Sequence, residues 1–306
     1  GDSGTLTQGG RAWRVTDTQK SGQTWIHFLD GADAPETGKA VTLAVDPARR
    51  AAISRHHTVT HLIHWALHEV VNKEATQKGS AVAPDKLTFD FNSGALTPAQ
   101  VADIERLVNE RILDNAPVSW TEVKHSHVKG RPDVMQFFGD KYGEWVRVVQ
   151  VGGTPTALDG YSMELCAGTH VRSTGEIGLL RITGENAIAA GVRRIEAVAG
   201  LTAYEAARAD AELLKRLADT TQAPVHDVLK RVEQLLEQTR ELERKLKAFR
   251  DREADELAST LAAAASSTET LAVTRRRAPE AVAAAARVWA SSSDSRSRKA
   301  LSLRSS

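Results

Sequence analysis

The chain has 306 residues, 41% of them hydrophobic and 26% charged, with 40 Lys and Arg set against 39 Asp and Glu. That length supports two or three domains with a real core, and the net charge of +1 neither demands nor excludes nucleic acid, so any basic patch must be local. The single cysteine, Cys166, excludes an intrachain disulfide and fits a reducing, cytoplasmic setting, and the absence of any run of about 18 apolar residues excludes a membrane-spanning helix.

Gly1–Thr5 has neither a basic n-region nor an apolar h-region, so it is not a signal peptide, and a start on Gly rather than Met reads as a fragment or a processed product. Residues 1–45 read as short strands and turns. Trp13-Arg14-Val15 and Trp25-Ile26-His27-Phe28-Leu29 are β-rich, with Gly9-Gly10 and Asp30-Gly31 as punctuation. The piece is too short for a core of its own and is expected to be the C-terminal part of a β-barrel.

Asp46-Pro47 is a helix start, Asp as N-cap and Pro at the first helical position. A short helix is expected there, then a longer one from about Arg55 to Val71, with Leu62, Ala66, Leu67 and Val70 spaced for a buried face. Leu87–Phe91 alternates like a strand, and Pro98 to about Leu113 carries a helical stripe. Strands are expected at Val118–Lys124, Trp145–Val151, Tyr161–Leu165, Gly178–Thr183 and Val192–Val198. Residues 46–200 therefore read as an α+β domain.

After Gly200 the character changes. Thr202-x-x-Glu205 has the form of a capping box opening a helix to about Ala218. Thr220-Thr221-Gln222 breaks that helix, and Pro224 restarts it. Val225, Val228, Val232, Leu235, Thr239, Leu242, Leu246 and Phe249 then alternate at spacings of three and four, a heptad seam. Residues 201–260 are expected to form an antiparallel coiled-coil hairpin that can also support a homo-oligomer. Residues 261–306, rich in Ala, Ser and Arg, read as a low-complexity, disordered tail.

The chemistry concentrates in histidine and cysteine. His57 and His61 stand four apart on an expected helix, and at 100° per residue such positions differ by about 40°, so both rings point the same way. Cys166 and His170 are also four apart. A thiolate and an imidazole added to two imidazoles make a tetrahedral set suited to Zn²⁺. Spacing alone leaves the choice open, because His64 and His68 fall on the same stripe as His57 and His61, and His125 and His127 flank Ser126 at a strand end. For these four, as for His27 and His226, an ordinary structural role is the simpler reading.

Arg55-His56-His57-Thr58-Val59-Thr60-His61-Leu62, Gln77-Lys78-Gly79-Ser80, Phe138-Gly139-Asp140-Lys141-Tyr142-Gly143, Glu164-Leu165-Cys166-Ala167-Gly168-Thr169-His170-Val171, Thr174-Gly175-Glu176-Ile177-Gly178-Leu179 and Gly191-Val192-Arg193-Arg194-Ile195-Glu196-Ala197-Val198 together resemble the editing domain of the alanyl-tRNA synthetase family. The six segments keep their order and intervals, and the likeness covers residues 1 to about 260. Gly1-Asp2-Ser3-Gly4 resembles the second half of the family's Gly-Gly-x-x-Gly-Asp-x-Gly motif. The resemblance implies zinc held by His57, His61, Cys166 and His170. It also implies editing roles for Gln77, Thr60 and Arg193, with Arg193 acting through the tRNA end. His56 stands where the family commonly has Asn, which would bring a fifth imidazole near the metal, and Ala167 replaces a common Gly.

The implied reaction is hydrolysis of the ester in Ser-tRNA(Ala) and Gly-tRNA(Ala), with the acceptor end of tRNA(Ala) as partner. The implied parent enzyme attaches alanine to tRNA(Ala) with ATP, a reaction not expected of this chain alone. An alanine pocket rejects serine weakly, by ~10²-fold, so a second hydrolytic site is needed. Thr58, Thr60 and Gln77 are suited to gripping the serine hydroxyl, with zinc orienting substrate and water. Four protein ligands, however, make a closed site, and closed sites are usually structural. The competing expectations are a non-catalytic, zinc-stabilised tRNA-binding module and a free-standing trans-editing protein.

Overall fold

Four short strands precede the first helix: β1 (Gly4–Gln8), β2 (Arg11–Ser21), β3 (Thr24–Leu29) and β4 (Thr42–Val45). Helix α1 (Pro47–Val70) follows, then β5 (Gln77–Val82), β6 (Leu87–Asn92), α2 (Pro98–Leu113), β7 (Val118–Lys124), the one-turn α3 (His125–Val128), β8 (Trp145–Val151) and β9 (Ser162–Leu165). A 3₁₀ turn at Thr174–Ile177 leads to β10 (Leu180–Ala189), β11 (Val192–Ala199), α4 (Leu201–Thr221) and α5 (Val228–Ser266). The computed structural model describes residues 1–136 and 142–266. Phe138–Lys141 of the Phe138–Gly143 motif, and the tail from 267, lie outside the described residues. The described residues fall into two compact units, divided between Leu213 and Leu214.

In the first unit the N-terminal strands pair antiparallel in the order β3-β2-β1-β4 around a small core of Leu6, Trp13 and Val15. The sheet is open. Residues 1–45, expected to be the C-terminal part of a β-barrel, form no closed barrel among the described residues, with β3 and β4 as the edges of the sheet.

Asp46 accepts from the N–H groups of Ala48 and Arg49 and with Pro47 starts α1. Where the sequence suggested two helices there is one, since no Gly or Pro interrupts residues 48–70. Val59, Leu62, Ile63, Ala66 and Leu67 of α1 are fully buried. They pack with Ile104, Val108 and Ile112 of α2 against a second antiparallel sheet, ordered β10-β11-β6-β5. Alternation on β6 turns Leu87, Phe89 and Phe91 inward. Thr97 and Gln100 complete a capping box at the start of α2. A third sheet, β7-β8-β9, buries Val146, Val148, Met163 and Leu165 with Val128 of α3. His125 and His127 thus lie in a single helical turn rather than at a strand end.

In the second half of the chain the break falls where the sequence placed it. Helix α4 ends at Thr221, Gln222 takes φ 53°, and α5 starts at Val228 after Pro224. Helix α4 begins at Leu201, immediately after left-handed Gly200, so Thr202 sits inside the first turn instead of capping it. Ala218 and Val228 are buried at the corner, while Leu242, Leu246 and Phe249 of the heptad seam are exposed along α5. Helix α5 runs on to Ser266, so the first residues of the stretch read as a disordered tail are helical.

Candidate metal centre

His57 and His61 occupy successive turns of α1 and face the loop that leaves β9. This loop, Cys166 to His170, is pinned at both ends. The Cys166 N–H donates to the Arg147 carbonyl at 3.1 Å, and the Val171 N–H donates to the Thr58 hydroxyl at 3.2 Å. Between those points Gly168 lies against the His57 ring, where any Cβ would fall inside the imidazole. Glycine at 168 is therefore a condition for His57 to reach the cluster.

The ligand atoms of His57, His61, Cys166 and His170 all lie within 4.8 Å of one another, a set able to hold a metal ion. The Cys166 sulfur is 3.4 Å from Nε2 of His57 and 3.4 Å from Nε2 of His170. Bonds of about 2.0–2.3 Å in a tetrahedral N/S site separate ligand atoms by roughly 3.3–3.8 Å, so these spacings match edges of such a tetrahedron. The structure thus gathers all four residues that the sequence reading named as ligands.

Two further groups orient the imidazoles. The Thr58 hydroxyl donates to the Ser54 carbonyl at 2.9 Å, so it accepts from Nδ1–H of His170 at 3.3 Å and leaves Nε2 of that ring facing the thiol. With the Val171 N–H as well, Thr58 is fully engaged and buried; its place is behind His170 and not against a substrate hydroxyl. Glu164, 3% exposed, accepts from Nδ1 of His61 on one oxygen and Nδ1 of His64 on the other, both at 2.9 Å. A carboxylate behind a ligating imidazole fixes its tautomer and raises its basicity. Sequence reasoning passed over Glu164 and gave His64 no part in the site. The signals were present: Glu164 is two residues from Cys166 at a strand end, hence on the same face, and His64 is one turn from His61.

The electrostatics suit a cation. Burial opposes ionisation of Cys166, but hydrogen bonds with His170, His57 and His61 outweigh it and bring the thiol down to about 3. Burial is also the largest influence on His170, lowering it to about 4 and keeping its ring neutral. His61 is raised to about 10, because the Glu164 carboxylate and Cys166 overcome the burial that disfavours its charge. Burial would push Glu164 up, yet His61 and His64 hold it well below the usual carboxylate range. A metal ion binding at Nε2 of His61 must displace a proton, so binding is coupled to proton release.

The remaining residues singled out from sequence sit elsewhere. His56 is buried and turned away from the cluster: its Nδ1 donates to the Ala83 carbonyl at 2.8 Å and its Nε2 accepts from the Ala199 N–H at 3.0 Å. It adds no fifth imidazole to the site. The Thr60 hydroxyl, buried on α1, donates to the His56 carbonyl at 3.0 Å. The Gln77 amide donates to the Ser80 hydroxyl at 2.9 Å. Arg193 makes a two-pronged ion pair with Glu185 on the neighbouring strand, at 2.5 and 2.6 Å. Gln77 and Arg193 both lie opposite Phe91 in the second sheet, so all three share one face.

Residues 146–196 match the family model described as the threonyl and alanyl tRNA synthetase second additional domain. The chain is 48% identical over 209 residues to the alanine–tRNA ligase of Akkermansia muciniphila, covering 68% of this chain and 22% of that protein. It is 41% identical over 280 residues to the alanine–tRNA ligase of Opitutus terrae, covering 89% of this chain and 29% of that protein. Over this span the chain is homologous to the alanine–tRNA ligases. It spans less than a third of the length of these relatives. The family-model stretch contains Arg147, Glu164, Cys166, His170 and Arg193, while α1 supplies His57 and His61 from outside it. Among the described residues no helix is long and apolar enough to cross a membrane.

Proposed function

We propose that the cluster holds one Zn²⁺ through His57, His61, Cys166 and His170, and that the chain hydrolyses the ester of Ser-tRNA(Ala) and Gly-tRNA(Ala), as part of an enzyme that attaches alanine to tRNA(Ala) with ATP. The observation that carries this reading is three imidazoles and a thiol whose ligand atoms lie within 4.8 Å of one another, two of them 3.4 Å from the sulfur, in a chain homologous to alanine–tRNA ligases. Zinc, when bound, would supply a positive centre that orients the aminoacyl group and the attacking water. In the reaction, water adds to the ester carbonyl, the bond to the terminal ribose oxygen breaks, and that oxygen takes a proton, leaving free amino acid and tRNA.

The chain's own part is positioning. Glu164 holds His61, Thr58 holds His170, and Gly168 lets His57 approach. Thr60 and Gln77 are proposed to help discriminate serine from alanine, and Arg193 to engage the tRNA end. Domain limits at 45, 200 and 260, a cytoplasmic location and homo-oligomers through the α5 seam belong to the same proposal.

A second reading, a zinc-stabilised tRNA-binding module without catalysis, is favoured by one observation: all four ligand positions are protein side chains, as in closed structural sites. The two separate in one assay. Serine release from Ser-tRNA(Ala) is measured with and without a chelator, and for Cys166→Ala alongside its zinc content. Chelator-sensitive release above background supports the hydrolase. No release above background by the zinc-loaded chain favours the binding module, and full release by metal-free Cys166→Ala removes the metal from catalysis.

A further inference from the structure

Beside the metal centre lies a cleft of about 370 Å³ whose walls include Ser119, Trp120, Arg147, His170 and Arg172, with Arg50 at one side. Among the described residues no carboxylate lines it. Arg50 is bound to Asp2, but neither Arg147 nor Arg172 has an ion-pair partner among the described residues. Trp120 on β7 is 56% exposed. The Arg147 guanidinium sits 4.9 Å from its ring centroid and donates to the Ala167 carbonyl at 3.3 Å, so one side chain touches both the aromatic wall and the metal-binding loop. Nε of Arg147 is buried without a hydrogen-bond partner among the described residues.

An exposed indole braced by an arginine, with a second unpaired arginine nearby, is the combination that holds single-stranded nucleic acid. Every base offers a π-face for stacking, and the guanidinium groups meet the phosphates. A volume near the low end of the ~300–1,000 Å³ range of small-ligand sites suits one nucleoside and excludes a duplex. A small anion would use the arginines but gain nothing from the indole. Because His170 belongs both to the cleft and to the metal cluster, a nucleoside seated here ends next to the ligand set.

We propose that this cleft receives the 3′-terminal nucleoside of an RNA strand, its base stacked on Trp120 and its phosphate met by Arg147 and Arg172. The proposal rests on the tRNA-ester reading and adds to it the surface that seats the RNA end. Arg147 and Trp120 act as positioning residues, distinct from the metal ligands.

The test is binding of an uncharged, 5′-labelled RNA with a single-stranded 3′ end to the full chain, followed by fluorescence anisotropy and requiring no turnover. Trp120→Ala is expected to weaken binding about tenfold, and Trp120→Phe to retain it within about threefold. Removing the terminal nucleotide from the RNA should cost the wild-type chain the same tenfold and the Trp120→Ala chain almost nothing more, as expected of two groups in contact. Arg172→Gln should lower the salt dependence by about one phosphate contact. An unchanged affinity in Trp120→Ala, or equal losses from the shortened RNA in both chains, would overturn the proposal. Circular dichroism establishes that the exposed Trp120 variants fold. Serine release that persists without this coupling removes the cleft and spares the hydrolase. Coupling without serine release removes the hydrolase and leaves the cleft binding RNA.

Discussion

Glu164→Gln isolates the buried carboxylate behind the metal centre. In the native chain its two oxygens each take an Nδ1–H, from His61 and from His64, at 2.9 Å. An amide has one carbonyl oxygen, so one imidazole must face an NH₂ donor. If that ring is His61, it is driven to the tautomer that places hydrogen on Nε2, the nitrogen the metal needs. If it is His64, its Nδ1 accepts from the amide while its Nε2–H donates to the Ala75 carbonyl 3.3 Å away, and His61 keeps an acceptor that has lost its negative charge. Loss of an orienting partner of this kind lowers metal affinity about 10–100-fold, equivalent to roughly 1.4–2.7 kcal/mol. Competition for zinc against a chromophoric chelator measures the affinity directly, and far-UV circular dichroism guards against unfolding. A folded Glu164→Gln chain that binds zinc as tightly as the wild type would refute the orienting role of the carboxylate.

Further outcomes follow from the same geometry. Gly168→Ala should displace the His57 ring and reduce zinc stoichiometry, read by metal analysis after gel filtration, while Ala167→Gly should not. Thr58→Val leaves His170 Nδ1 and the Val171 N–H without their acceptor; urea denaturation should show a loss of about 1–3 kcal/mol. Phe89→Ala removes a fully buried ring that lies 5.5 Å from the His64 ring, and should cost about 3–5 kcal/mol in the same assay. Zinc should raise the thermal midpoint in proportion to the logarithm of its free concentration, and a chelator should reverse the shift; a midpoint indifferent to zinc would contradict selective binding to the folded chain.

Much of the fold was legible because its signals are local. Asp46-Pro47 marks a helix start, the alternation through Phe89 and Phe91 marks a half-buried strand, and Thr220 to Pro224 marks a helix break. The four-residue spacings marked candidate ligands but left His64 and His68 on the same stripe, and the resemblance to a family singled out His57, His61, Cys166 and His170. The order β3-β2-β1-β4 of the N-terminal strands was not legible, because which edges meet is not written in a short window of sequence. The heptad seam was legible as a pattern, but a pattern names no partner, and its leucines are exposed along α5.

The sequence by itself determined which atoms are available for a metal: one thiol, paired imidazoles, and their placement on a helix and a strand-end loop. Only the tertiary structure decided which of the ten histidines gather around Cys166. His56 and His57 are neighbours in the chain, yet one is tied between Ala83 and Ala199 and the other faces Cys166. A helix points adjacent residues about 100° apart, so the elements packed on each side, and not the residue type, assign each ring its role.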